Sequence, residues 1–145
     1  MNFAMDLTQL PFNDLIGIDR SDRPDALLCL HFDQRLTNHL GTVHASALFA
    51  LAEASSAEFL MRCRGDRDYI SGVVRKAQSK YAQHASADVH AATKTSLDEI
   101  ESAIAKVDAK GRALVSIDID LHVDTGLNAV ASFTFDWFLA KTEEP

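Results

Sequence analysis

The sequence predicts a single α+β domain in which a curved antiparallel β-sheet wraps around one long central α-helix. Small and apolar residues occupy nearly every direction around the axis of a helix over Val43–Met61, which is typical of a protein interior. Later segments alternate apolar and polar residues, most clearly over Ala113–Val123, as strands do when they bury one face. The chain has 145 residues and no linker or repeat, so we expect one domain over residues 1–145.

Local signals place the elements of the first half of the chain. Residues 1–13 are expected to form a short amphipathic helix that ends near Pro11. The polar run 19–25 then predicts a turn between two short strands, the second of which is the apolar segment 26–32. A polar loop over residues 33–42 leads into the apolar helix.

The second half of the chain is predicted to be mostly strand. The apolar helix ends near Cys63, and Gly65 supplies its stop. Residues 97–109 carry apolar side chains at helical spacing and predict a second helix. A turn is expected at residues 124–126. The predicted strands are residues 69–81, 88–96, 113–123 and 131–139.

Composition excludes several classes of function. A net charge of −7 argues against a nucleic-acid-binding protein. No apolar run reaches the ~20 residues of a membrane span, and no secretory signal begins the chain. Cys29 and Cys63 form no motif, which favours reduced thiols and a cytoplasmic location. His84 and His90 have no third ligand at metal spacing, so neither a metal nor a cofactor is expected.

Glu53 is the residue that points to chemistry. It interrupts the apolar helix, where a carboxylate is costly to desolvate unless it is paired or used. The alternative is that Glu53 emerges at a solvated edge of the helix. Glu58 lies five residues on, about 140° around the axis, and is expected to reach solvent or the other side of the sheet.

The residues around Glu53 resemble a known motif. Asn38 precedes the helix, His44 begins it, and Ala45, Ser46, Leu51 and Glu53 follow. These offsets resemble the pattern Asn-x5-His-Gly-Gly-x4-Leu-x-Asp/Glu of hotdog-fold thioesterases of the phenylacetic-acid-degradation type. Ala45-Ser46 replaces the glycine pair of that pattern. The resemblance implies a hotdog fold and an acyl-CoA thioesterase.

The resemblance also implies roles for single residues. The backbone amide of Ala45 polarises the thioester carbonyl, and Glu53 activates water or attacks the thioester directly. Asn38 holds the water or the carbonyl, and Ser71, on the following strand, orients the water or Glu53. His44 and Ser46 line the site.

Two further features concern where the substrate would bind, and the first of them leaves alternatives open. Basic residues follow the helix, and they are either a solvated rim or a cradle for the phosphates of CoA, for which Arg75 and Lys76 are the candidates. These residues are Arg62, Arg64, Arg67, Arg75, Lys76 and Lys80. The acyl tunnel is expected among residues such as Phe49, Phe59, Val73 and Phe135.

Two other functions compete with the thioesterase. One is a hotdog dehydratase or hydratase acting on acyl thioesters, although the His-Pro motif of those enzymes is absent. The other is a non-catalytic protein that binds acyl-CoA, which the loss of the glycine pair favours. An open sheet edge predicts a homodimer, or a dimer of dimers that makes a homotetramer, with the site between subunits. The resemblance to the thioesterases implies that Asn38 and Ala45 come from one chain, and Glu53 and Ser71 from its partner.

Overall fold

The structure is a computed structural model, and it describes residues 5–123 and 128–142. Its helices are α1 (Pro11–Ile16), α2 (Ala45–Arg64) and α3 (Leu97–Lys110). Its strands are β1 (Ile18–Arg20), β2 (Leu28–Leu30), β3 (Ile70–Tyr81), β4 (Val89–Thr93), β5 (Arg112–Val123) and β6 (Ala131–Lys141). Short 3-10 turns lie at Leu7–Gln9 and Gln34–Leu36.

In the described part of the chain, six strands form one curved antiparallel sheet in the order β1-β2-β4-β5-β6-β3. The short β1 and the long β3 are therefore its two edges. Strand β3 pairs with β6 along its whole length, with a bulge between Val74 and Lys76. The alternation predicted for the last two strands is confirmed, because β6 buries Phe133, Phe135 and Trp137 on one face.

Helix α2 lies on the inner face of the sheet and forms the centre of the core. Twelve of its 20 residues are buried, and the ring of Phe49 contacts Phe133 and Phe135 at centroid distances of 5.9 and 5.5 Å. The indole Nε1 of Trp137 donates a hydrogen bond of 3.1 Å to Ser56 Oγ. The predicted central helix and the sheet around it are confirmed.

Helix α3 packs on the same face as α2, and its prediction from spacing is also confirmed. A capping box begins it, in which Ser96 and Glu99 satisfy each other's backbone N–H groups. Ile100, Ile104 and Val107 form its buried stripe. No helix in the described ranges is long and apolar enough to cross a membrane.

The N-terminal prediction was wrong about where the helix lies. Helix α1 begins at Pro11 instead of ending there, because proline fits the first position of a helix, where no N–H bond is lost. Gly17 ends α1 in the left-handed conformation, with φ of 80°. The first four residues of the expected helix, and the turn predicted at 124–126, lie outside the described residues.

A substitution at Gly72 would test how tightly β3 packs against the core. A β-carbon at this position would lie 3.0 Å from Leu139 Cδ2 and 3.1 Å from Trp137 Cε3. We predict that Gly72→Ala lowers the free energy of unfolding by about 1–3 kcal/mol, the usual cost of overpacking. Chemical denaturation measures this.

The control is Val73→Ala at the next position of β3, which is 55% exposed on the other face of the sheet. It should cost less than Gly72→Ala. Equal midpoints for the wild type and Gly72→Ala would contradict the packing described here.

Candidate active site

The start of α2 presents a backbone donor to solvent. His44 is the N-cap, and its Nδ1 accepts a 2.9 Å hydrogen bond from the backbone N–H of Ser46. In the neutral ring the proton therefore lies on Nε2. The N–H of Ala45 donates no hydrogen bond within the described part of the chain. Because helix dipoles sum to a partial positive charge at this end, that N–H is suited to bind an oxyanion.

Asn38 shapes the loop that leads to this helix start. Its Oδ1 accepts hydrogen bonds from the backbone N–H groups of Leu40 and Thr42 at 2.9 and 3.2 Å, and its Nδ2 donates to Thr42 Oγ1 at 2.9 Å. The side chain thus makes local bonds that fold the loop. Its expected contact with water or substrate stays a prediction.

Glu53 lies on the stripe of α2 that faces the β3 edge. Phe49 and Ser56, its neighbours on that stripe, both contact β6, the strand next to β3. The Glu53 side chain is exposed in the single chain, and in the described ranges no ion pair holds it. Enough protein surrounds the carboxyl group to raise its pKa above the ordinary value by desolvation.

Glu58 points away from Glu53, as expected, but it does not reach solvent, which was one of the two positions predicted for it. It is buried, and its Oε1 lies 3.1 Å from Nε of Arg62 and 3.4 Å from Nη1 of Arg20 on β1. The 140° separation from Glu53 therefore turns Glu58 towards the opposite edge of the sheet. Of the two acids, Glu58 is the paired interior one and Glu53 is the one left accessible.

The structure places Ser71 on the far side of the sheet from Glu53. Ser71 pairs with Ala140, whereas the next residue, Gly72, faces Leu139 and Leu60 on the inner face. Because side chains alternate along a strand, Ser71 lies on the outer face. Its hydroxyl approaches the carbonyl of Ala140 at 3.5 Å. Within one chain, Ser71 is therefore not positioned to orient Glu53.

The basic residues in the last turn of α2 and after it do not form one cluster. Three of them have structural partners: Arg62 binds Glu58, Arg64 Nη1 donates to the Ile70 carbonyl at 2.9 Å, and Arg67 binds Glu101. Arg75 stacks on the outer-face ring of Phe138, with its guanidinium 4.4 Å from the centroid, and Lys76 lies opposite Asp136 in the strand register.

The four residues expected to line the acyl tunnel do not share one surface. Phe49 and Phe135 are in contact on the inner face. Val73 pairs with Phe138 and faces outward, so it cannot join them.

Tyr81 was missed by the sequence reasoning. At the end of β3, its hydroxyl lies 3.5 Å from the carbonyl oxygen of Ala45, and its ring contacts Phe133. It therefore forms a wall beside the start of α2. The alternation of β3 is shifted by the bulge after Val74, and a sequence pattern alone does not show this.

The helix enclosed by the sheet defines the class of the protein: it has the hotdog fold, as the motif predicted. Residues 20–139 match the family described as a domain of unknown function, DUF4442, and the chain belongs to this family. No curated protein matches the sequence.

Solved structures share the fold at low sequence identity. PA5026 of Pseudomonas aeruginosa, described as a protein of unknown function and "Probable Thioesterase", is 19% identical, with 94% of this chain and 91% of that chain covered and a TM-score of 0.80. OLEI01261 of Chlorobaculum tepidum, of unknown function, is 16% identical, with coverages of 92% and 88% and a TM-score of 0.77. BH2602 of Bacillus halodurans, solved with CoA, is 17% identical, with coverages of 88% and 74% and a TM-score of 0.65.

The two acids of α2 make a matched pair for a test of stability. We predict that Glu58→Ala lowers the free energy of unfolding by about 1–3 kcal/mol, because it removes a buried side chain and its two arginine contacts. Glu53→Ala should leave stability unchanged or raise it, because it removes a desolvated carboxylate without a cation beside it. Thermal and chemical denaturation at neutral pH compare the two variants. A larger loss from Glu53→Ala would overturn the roles assigned here.

Proposed function

We propose that the protein is an acyl-CoA thioesterase, which hydrolyses an acyl-CoA to a free acid and CoA at sites formed between the two chains of a homodimer. One observation carries the proposal. A helix that is otherwise enclosed by the fold presents an unpaired N–H at Ala45 and, at Glu53, an accessible carboxylate whose pKa is raised by partial desolvation. These are the two groups that thioester hydrolysis requires: an oxyanion donor and a base.

The dimer rests on the free edge of β3. Residues 75–81 of this strand are all exposed, although β6 covers the other edge of the same strand. A long unpaired edge is a template for another strand. A two-fold axis near Gln78, at the middle of the exposed run, pairs two copies of β3 antiparallel and makes the two sheets continuous.

The same axis brings the two groups of the site together. Helix α2 runs antiparallel to β3, since Ala45 lies near Tyr81 and Arg64 contacts Ile70. Ala45 and Glu53 of one chain are about 12 Å apart along the helix, with Phe49 midway between them. Phe49 contacts Phe133 and Phe135, which pair with Ser79 and Ala77 on either side of Gln78. A two-fold axis that passes near Gln78 therefore brings Ala45 of each chain to the same position along the helix axis as the partner's Glu53.

The reaction follows from this arrangement. The thioester oxygen accepts a hydrogen bond from Ala45 N–H, and Glu53 of the other chain takes a proton from water as the water oxygen attacks the carbonyl carbon. The tetrahedral intermediate then expels the CoA thiolate, which takes the proton back from Glu53. Direct attack by a Glu53 oxygen on the carbonyl carbon instead breaks the C–S bond, expels the CoA thiolate and leaves an anhydride. Water then cleaves the anhydride to the free acid and the Glu53 carboxylate, and the proton released goes to the thiolate. The two routes can be distinguished by a single turnover in ¹⁸O-labelled water. Incorporation of the label into the Glu53 carboxylate would identify the anhydride route.

Two findings support the substrate class. The chain shares its fold with PA5026, which is named a probable thioesterase, and with BH2602, which was solved with CoA. Arg75 and Lys76 stay candidates for the phosphates of CoA, because both lie on β3, whose free edge borders the proposed site. His44 and Asn38 hold the helix start in place, and Ser46 lines the approach to it.

Proline at position 45 provides a direct test of the backbone donor. Ala45→Pro removes the N–H, yet proline is favoured at the first position of a helix, and His44 already has the extended ψ of 139° that precedes proline. We predict that Ala45→Pro and Glu53→Ala each lower kcat/KM by at least ~10²-fold. Circular dichroism and melting curves should show an intact fold.

Mixed dimers locate the two groups. When Ala45→Pro and Glu53→Ala chains are refolded together, about half of the dimers are mixed, and each mixed dimer holds one intact site and one doubly damaged site. Roughly a quarter of wild-type activity should return. Activity that does not return, with heterodimers demonstrated, would place both groups in one chain.

The pH profile tests the protonation state of the base. Glu53 acts when ionised, and desolvation raises the pKa of its carboxyl group. We predict that kcat/KM rises with pH, with a midpoint above the ordinary glutamate value of about 4.3. The residual rate of Glu53→Gln should lack this rise. A wild-type profile that stays flat down to about pH 4 would exclude a catalytic carboxylate.

A further inference from the structure

A cavity of about 210 Å³ lies where α1 meets the start of α2. Its walls come from α1, from the 3-10 turn at Gln34–Leu36 and the residue after it, and from the first turn of α2. His44 and Ser46, the residues on either side of Ala45, are both part of the lining. Ala45 itself is not in the lining, but both of its neighbours are, so the cavity reaches the stretch of backbone that carries the unpaired N–H of Ala45.

The lining of the cavity combines four apolar and four polar residues. The apolar ones are Phe12, Ile16, Leu36 and Ala47, and the polar ones are Arg35, Thr37, His44 and Ser46. Thr37 and His44 already make hydrogen bonds within the chain, so the apolar side chains favour an uncharged, apolar occupant. The ionic group in the lining is Arg35, whose guanidinium is bound by Asp33 at 2.8 Å and is 84% exposed, so its charge is already balanced at the rim. An anionic occupant would meet the Asp33 carboxylate, which accepts from Nε and Nη2 of Arg35, whereas an apolar group needs only to displace water.

Phe12 shows that this surface is not closed by the chain itself. Its side chain is 61% exposed although it forms one wall of the cavity. Leu15, on the same short helix, is 77% exposed but lies outside the cavity. The two residues allow the cavity to be compared with a simply exposed apolar residue nearby.

We propose that this cavity is the acyl subsite, and that it selects thioesters with a short or medium apolar acyl group of up to about eight carbons. The inference rests on the proposed function, because it takes the Ala45 N–H as the anchor of the carbonyl oxygen. The carbonyl carbon then lies at the mouth of the cavity, the acyl group enters between Phe12 and Ala47, and the sulfur and CoA stay outside.

The size limit follows from the volume. A protein cavity of about 150 Å³ holds benzene, with six carbons, so about 210 Å³ holds roughly eight. Each buried methylene contributes about 0.8 kcal/mol, so affinity should rise with chain length until the cavity is full. Longer acyl groups must leave the cavity and should gain nothing more.

Two changes at the walls test the subsite in opposite directions. Ala47→Leu fills the cavity from α2, and Phe12→Ala enlarges it. Hydrolysis of acetyl-, butyryl-, octanoyl- and dodecanoyl-CoA is followed through release of the free thiol. Ala47→Leu should lower kcat/KM for octanoyl-CoA at least about tenfold, because a misfit of one methylene or more in an apolar pocket has an effect of this size. It should change kcat/KM for acetyl-CoA less than about twofold.

Phe12→Ala should move the optimum towards longer chains, and the control Leu15→Ala should leave the profile of the wild type unchanged. If Ala47→Leu does not fold, Phe12→Trp replaces it, because Phe12 also lines the cavity and is exposed enough to accept a larger ring. A chain-length profile that is the same in the wild type and in both wall variants would overturn the subsite, while the proposed function would stand.

Binding measurements test the subsite independently of the hydrolysis reaction. Calorimetry compares the thioethers S-octyl-CoA and S-ethyl-CoA, which cannot be hydrolysed. We expect the octyl compound to bind the wild type at least about tenfold more tightly, and Ala47→Leu to remove the difference. This result without any hydrolysis would keep the subsite and overturn the proposed function. Equal binding of the two thioethers, or binding of neither, would overturn the subsite.

Discussion

The rotation of α2 about its own axis is the constraint on which the rest of the structure depends. The contacts of Phe49 with Phe133 and Phe135, and of Trp137 with Ser56, fix one stripe of the helix against β6. Interiors are close-packed, so a helix held this way has no alternative orientation of similar energy. With the stripe fixed, Glu53 must face the β3 edge.

The same rotation of α2 determines where the second acid, Glu58, lies. Five residues along a helix correspond to about 140° of rotation, so Glu58 must face away from β3. It reaches Arg20 on β1, the other edge strand, and Arg62 on its own helix. The two acids are similar in sequence context and differ in environment: Glu58 is buried and pairs with two arginines, whereas Glu53 is left accessible.

The sequence predicted the elements whose signal is local. The periodicity of 113–123 and 131–139, the spacing of 97–109, and the apolar run before Cys63 were sufficient to predict the strands, both longer helices and the fold class. Pro11 was misassigned because proline both ends and begins helices, and only the contacts of the neighbouring residues distinguish the two.

Pairings between distant residues could not be predicted in this way. The partner of Glu58 is Arg20, 38 residues earlier, and no local pattern indicates it. Ser71 was expected beside Glu53, but whether a strand residue faces inward depends on register, which the pairing with β6 fixes. At the helix start, the unpaired N–H groups were predictable, because the first turn of any helix lacks partners for them. His44 was expected to line the site, and the structure shows it as the N-cap of α2.

The central claim is that one reaction site is built from the helix start of one chain and Glu53 of another. A crystal structure of the protein with S-octyl-CoA measures this most directly. We expect two β3 strands paired near Gln78, with Glu53 of one chain closer to the partner's Ala45 nitrogen than the ~12 Å that separates the two residues along one helix. A dimer that leaves β3 unpaired, or a ligand bound away from both Ala45 and Glu53, would contradict it.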